Sequence, residues 1–180
     1  MTVDPAIAAA ARLSLAVLFA QAAWHKLSDL GAFRRALYAY DLVPDRALYF
    51  VSVALPLVEA AVVAALVVPA AATAGGSGAF SLLAVYTAAI ALNLARGKRD
   101  VDCGCGSKAL SPRLGPGLVA RNGVALVVAW AAASPVAGRE LGLLDAAAVV
   151  GASATAGLLW QIANRLLVEE AAHRRLVALR

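Results

Sequence analysis

The chain is poor in the side chains on which most catalysis and metal binding depend. In 180 residues it has two cysteines, two histidines and one methionine, and only 15% of its residues are charged. A closed zinc site needs about four ligands, which two cysteines and two distant histidines do not supply, so no zinc site within the chain is expected. No glycine-rich loop runs into a lysine to cradle phosphate, no Cys-x-x-Cys-His offers a haem attachment, and no nucleophile pairs evidently with a base. Basic–aromatic repeats of the kind that bind single strands are missing, so no nucleic acid partner is expected. The period-two alternation of strands is missing as well.

What fills the chain is apolar. Hydrophobic residues make up 62% of it and the mean hydropathy is +0.79. A soluble domain is closer to half apolar and a quarter charged. The apolar residues gather into five runs, about 6–27, 47–69, 78–95, 117–134 and 143–164. Each is near the roughly 20 residues that cross a bilayer as a helix; the fourth, short and carrying Arg121, is the one that leaves the count at four to five. Backbone groups in lipid must be bonded within their own segment, and alanine and leucine dominate, so the runs are predicted to be helices. The expected fold is an all-α, polytopic membrane helix bundle, a single transmembrane domain over 1–165 with a charged helical tail over 166–180. The first run lacks the basic flank of a signal peptide and ends in "WHK", an interfacial anchor pattern, so it reads as a retained helix.

Charge supplies an orientation. Thirteen of the sixteen basic residues fall in the first and third connections and the tail of a five-span model, and the opposite side keeps only Arg139 in its connections. The positive-inside rule then puts the amino terminus outside and the carboxyl terminus in the cytoplasm of the cell (plasma) membrane. The net charge of +5 is accounted for by contact with anionic lipid.

Leu30, Phe33, Leu37 and Tyr40 form one face of a short helix expected in the interface and ended by Pro44. "PAAATAGGSG", residues 69–78, reads as a small-residue turn whose glycines allow close packing. "GASATAG", residues 151–157, predicts tight packing of the fifth helix.

Ionisable groups inside a span call for a reason. Counted along the helix axis, Arg12 lies roughly 9 Å and Glu59 roughly 15 Å below the outer surface. A guanidinium spans the difference, so an Arg12–Glu59 pair is expected to join the first two spans, either to fix register or as a proton or substrate site. Gln21, His25, Lys26, Asn93, Arg121 and Asn122 share the level of the third connection and could form a polar mouth; singly, each reads as a snorkelling or solvated residue.

That connection carries "DVDCGCGSK", with both thiols one residue apart. Gly104 permits the bend that brings Cys103 and Cys105 within disulfide reach, and the small ring would be readily reduced. Two close thiolates also suit Cu(I). A structural turn is the third reading. A quinone would suit a membrane redox protein, but no residue reports one.

The combination resembles the MauE family of methylamine-utilisation membrane proteins, related to the DoxX-like redox-associated proteins. "ARLSLAVLFAQAAWHKLSDLGAFRRALYAYDLVP", "LPLVEAAVVAAL", "NLARGKRDVDCGCGS" and "LVARNGVAL" carry the likeness, over roughly residues 10–135. The resemblance implies four or five membrane helices and Cys103 and Cys105 as a redox pair. It also implies thiol–disulfide handling or maturation of a partner such as methylamine dehydrogenase, beside a thioredoxin-like protein or a dehydrogenase subunit. The alternatives are a non-catalytic membrane assembly factor and a small-molecule or metal carrier. Dehydrogenase maturation belongs outside the cytoplasm, whereas the charge rule puts the cysteines inside.

Overall fold

The computed structural model describes residues 2–98, 101, 103 and 113–178, with side chains described as far as Glu170. Gly104, Cys105 and Lys108 lie outside the described residues. Six α-helices make up the described fold: α1 (Pro5–Ser28), α2 (Leu30–Tyr40), α3 (Asp45–Val67), α4 (Ala72–Ala95), α5 (Pro116–Ala133) and α6 (Leu143–Ala178). All but α2 contain a stretch long and apolar enough to cross a membrane. The expected all-α bundle is therefore present.

Local chemistry sets the helix ends. Asp4 caps α1, its side chain accepting from the Ala6 amide at 2.8 Å, with Pro5 in the first turn where its missing N–H costs nothing. Asp29 ends α1 and caps α2, accepting from the Ala32 amide at 2.8 Å, so a single residue separates the two helices. Asp41 closes α2 in the left-handed region at φ 54°, and Pro44 precedes α3.

Two expectations are corrected. The stretch 69–78 is not a turn as a whole. A single 3₁₀ turn, Pro69–Ala71, leads straight into α4, and Gly75, Gly76 and Gly78 are helical. Their role in close packing does hold. A Cβ on Gly75 would sit 2.6 Å from the Leu66 amide nitrogen, and one on Gly76 would sit 2.5 Å from that of Ala133. Adjacent glycines thus let α4 touch the backbones of α3 and α5 at once. The segment 151–157, by contrast, is mostly exposed, and nothing lies within 4 Å of a Cβ on Gly151 or Gly157. Helix α6 leans on α1, where Ser153 donates to the Ala10 carbonyl at 3.3 Å, and leaves its small residues outward. It also runs on through the charged tail to Ala178, because that stretch has no glycine or proline to stop it.

The core lies among α1, α3, α4 and α5. Leu15, Phe19, Val62, Leu66, Leu83 and Ala129 fill its centre. A smaller cluster of Ile90, Cys103, Leu114 and Leu118 closes one end. At the opposite end Val3 pairs with the segment after α5: its amide donates to the Pro135 carbonyl and its carbonyl accepts from Ala137, both at 2.9 Å. Arg139 fastens this clasp, reaching Asp4 at 3.1 Å and Asp145 at 2.8 Å. The hydrogen bond from Arg139, with that from the Ala6 amide, holds the Asp4 carboxyl below the ordinary aspartate value of 3.8. A carboxylate depressed in the folded state adds stability above its ordinary value and loses it as pH falls. Acidification below about that value should therefore expose the Val3 and Ala137 amides, and Arg139→Ala should expose them at neutral pH; amide hydrogen exchange reads both.

Candidate functional site

Four of the five spanning helices, α1, α3, α4 and α5, bury one face, and polar residues stand on those faces. On α1 the buried line is Ala8, Ala11, Leu15, Phe19, Ala23 and Lys26. On α3 it is Leu48, Ser52, Pro56, Glu59, Val62 and Leu66. On α4 it passes through Leu83, Ile90 and Asn93, with Tyr86 packed beside it. Lys26 is 4% exposed and Glu59 0%. The Lys26 ammonium is bonded to Glu59 Oε1, and the Tyr86 hydroxyl donates to the same oxygen at 2.6 Å. The Phe33 and Tyr86 rings lie 5.4 and 5.1 Å from Lys26 Nζ, within cation–π range.

Side-chain direction explains the pairing. A helical Cβ tilts toward its own amino terminus. Helices α1 and α3 run in opposite senses, so Lys26 leans from the end of α1 toward mid-membrane and Glu59 leans down to meet it. This corrects the expected Arg12–Glu59 pair. Arg12 lies fourteen residues before Lys26, about 21 Å along the axis. Its Nε donates to the Ala132 carbonyl at 3.0 Å and its Nη2 to Thr73 Oγ1 at 3.4 Å. There it satisfies one of the carbonyls left open at the end of α5. Lys26 does not snorkel outward; it turns into the bundle.

The predicted polar mouth divides. Gln21 and His25 are exposed on α1, away from the side that buries Lys26. Asn93 is 0% exposed; its Nδ2 donates to its own helix at the Ala89 carbonyl, 3.1 Å away, and its Oδ1 meets no donor among the described residues. Arg121 ties α5 to α6, bonding Asn164 and reaching Asn122 Oδ1 at 2.9 Å with its guanidinium 4.2 Å from the Trp160 ring centre. Sequence reasoning missed Tyr86, Asn164 and Trp160. Tyr86 was findable, being seven residues before Asn93 and so two turns along the same side of α4.

Cys103 is 6% exposed and packs with Ile90, Leu114 and Leu118. The Tyr40 hydroxyl donates to its carbonyl at 3.3 Å, and the Leu114 amide donates to the Val101 carbonyl at 3.0 Å. Nearby, Lys98 bonds Asp41 at 3.2 Å and Arg96 reaches the Asp41 carbonyl at 3.3 Å. Cys103 is thus packed against the ends of α2, α4 and α5. Among the described residues no group of three or more His, Cys, Asp or Glu side chains could hold a metal.

Comparison with known proteins gives a consistent result. The family model described as methylamine utilisation protein MauE matches residues 4–135. The methylamine utilization protein MauE of Paracoccus denitrificans is 36% identical over 165 residues, covering 91% of this chain and 89% of the relative. That of Paracoccus versutus is 38% identical over 164 residues, covering 91% and 88%. That of Methylorubrum extorquens is 32% identical, covering 86% and 90%. No solved structure matches.

Proposed function

The chain belongs to the MauE family of methylamine utilisation proteins, and from that premise we propose that it performs thiol–disulfide exchange in the membrane stage of methylamine utilisation. The substrate is a partner protein undergoing maturation, such as a dehydrogenase subunit or a thioredoxin-like carrier. The observation that carries the reading is the fixed position of Cys103, held through its carbonyl by Tyr40 and walled by Ile90, Leu114 and Leu118. A thiol merely filling a loop needs no such anchorage from three helices.

Burial assigns the two sulfurs different tasks. A shielded Cys103 suits the resolving thiol, which leaves Cys105 to meet the partner. In the oxidising direction a partner thiolate attacks Cys105 Sγ of the disulfide, the S–S bond breaks, and its electron pair departs on Cys103. The partner's second thiol then displaces Cys105. The partner ends as a disulfide and its two protons and two electrons remain on the pair, which a membrane quinone reoxidises. Run backwards, the same steps reduce a partner disulfide. The charge asymmetry supports a plasma-membrane orientation with the cysteine end in the cytoplasm; in that orientation the pair exchanges directly with a thioredoxin-like carrier on the cytoplasmic side, and a dehydrogenase maturing outside is served through it.

The test is trapping. Cys103→Ser should accumulate a mixed disulfide between Cys105 and a partner, seen as a reductant-sensitive mass shift, and Cys105→Ser should not. An impermeant thiol reagent applied to intact cells should leave Cys105 of the first variant unlabelled. The same burial of Cys103 also favours a second reading, a non-catalytic assembly factor in which cysteine serves as a small apolar residue. Full function in both Cys→Ala variants would establish that reading in place of the first.

A further inference from the structure

Glu59 is fully buried, yet only one of its oxygens is engaged. Oε1 accepts from both Lys26 and Tyr86, while Oε2 has no donor among the described residues. A carboxylate whose task is only to fix two helices in register is best held through both oxygens, because an open lone pair in an apolar surrounding is costly. The bonding of Lys26 is equally uneven. Its ammonium is bonded to the carboxylate on one side and flanked by the Phe33 and Tyr86 rings within 5.4 Å. Those ring faces attract the cation whether or not the carboxylate is charged. A proton on Oε2 would leave Oε1 as an acceptor for Lys26 and Tyr86, so the ammonium keeps a polar partner, which an apolar replacement of Glu59 would not give it. The titratable groups facing it are Lys26 from α1 and Tyr86 from α4; α2 contributes the uncharged Phe33.

A second open acceptor lies toward the cysteine end. Asn93 Oδ1 is buried without a donor among the described residues, two turns from Tyr86 and about 10 Å along α4. On α3, Pro56 lacks the N–H that would bond the Ser52 carbonyl, which adds an acceptor two turns from Glu59 on the same buried face. Open buried acceptors such as Glu59 Oε2 and Asn93 Oδ1 are groups that bind a water or a proton.

We propose that Glu59 is a proton-exchange site inside the bundle, protonated and released at Oε2, with Asn93 marking the water route from the cysteine end. One proton enters, an O–H bond forms on Oε2, and the local charge rises by one; release reverses this. No oxidant or reductant takes part. When a quinone reoxidises the cysteine pair it takes up two electrons and two protons; one of those protons passes through Glu59 on its way from the pair to the quinone, and Glu59 ends as it began. That link rests on the thiol–disulfide reading, whereas the exchange itself does not.

The experiment is infrared difference spectroscopy on the full chain in lipid nanodiscs. A protonated-carboxyl band should grow as pH falls, shift in heavy water, vanish in Glu59→Gln and move in Tyr86→Phe, which removes one of the two donors to Oε1. The Tyr86→Phe arm keeps the test decisive where Glu59→Gln does not fold. Asn93→Leu should slow the pH-jump response at least several-fold. In Cys103→Ser/Cys105→Ser protein the band should titrate as before, so exchange stands even where the thiol reading fails. In the wild type, reducing the pair should shift its midpoint. Absence of a titrating band sensitive to Tyr86→Phe overturns the proposal, and an unshifted midpoint overturns the link to the cysteines.

Discussion

Glu59→Leu is expected to lower stability in detergent by about 3–5 kcal/mol, the cost of stranding a buried charge. Lys26 is 4% exposed and its ion-pair partner is Glu59, so removing the carboxylate leaves an ammonium whose remaining contacts among the described residues are two ring faces. Adding Lys26→Met should recover most of the loss, because two apolar residues of similar length can replace a buried pair at little cost. The double variant separates the roles of the pair. If register is its whole purpose, Lys26→Met/Glu59→Leu will fold and function; on the present account it folds and does not function. Denaturant unfolding of the three proteins, read with growth complementation, supplies both numbers.

Gly76→Val should be at least as damaging. A Cβ there would lie 2.5 Å from the Ala133 amide nitrogen and 2.7 Å from the Ala132 carbonyl oxygen. Both obstacles are backbone, so no rotamer change relieves them, and α4 must move off α5. The loss should reach or exceed the upper end of the roughly 1–3 kcal/mol of ordinary overpacking. Gly151→Val is the control, since open space surrounds that position. It should leave the unfolding temperature unchanged within a degree or two, as expected of a site without contacts.

How far the sequence disclosed this architecture depended on the kind of signal. Span positions follow from hydropathy, a sum over many residues, and all five runs emerged as helices. Helix faces were also legible. Continuing the three-and-four spacing of Ala8, Ala11, Leu15, Phe19 and Ala23 lands on Lys26, which marks it as core-facing. Counting depth alone concealed this. Arg12 follows core-facing Ala11 by about 100° of rotation, so it faces α4 and α5 instead of Glu59. The partners of Arg121 were not legible, because Trp160 and Asn164 stand about forty residues away and are brought near only by the docking of α6. Small-residue patterns proved ambiguous. Gly75–Gly76 and Gly151–Gly157 look alike as sequence, yet one pair touches two backbones and the other touches none. The difference lies in which helices happen to be neighbours.

The pairing of Cys103 with Cys105 rests on chemistry and sequence spacing, and the burial of Cys103 gives it a direction of attack. The most direct measurement is acid-quenched alkylation with mass tags in native membranes, with and without a dehydrogenase subunit, the partner class proposed above. The account predicts that oxidised and reduced forms of the pair coexist and that their ratio shifts when the partner is removed. A single fixed redox state in both membranes, together with full function of Cys103→Ala and Cys105→Ala, would contradict it.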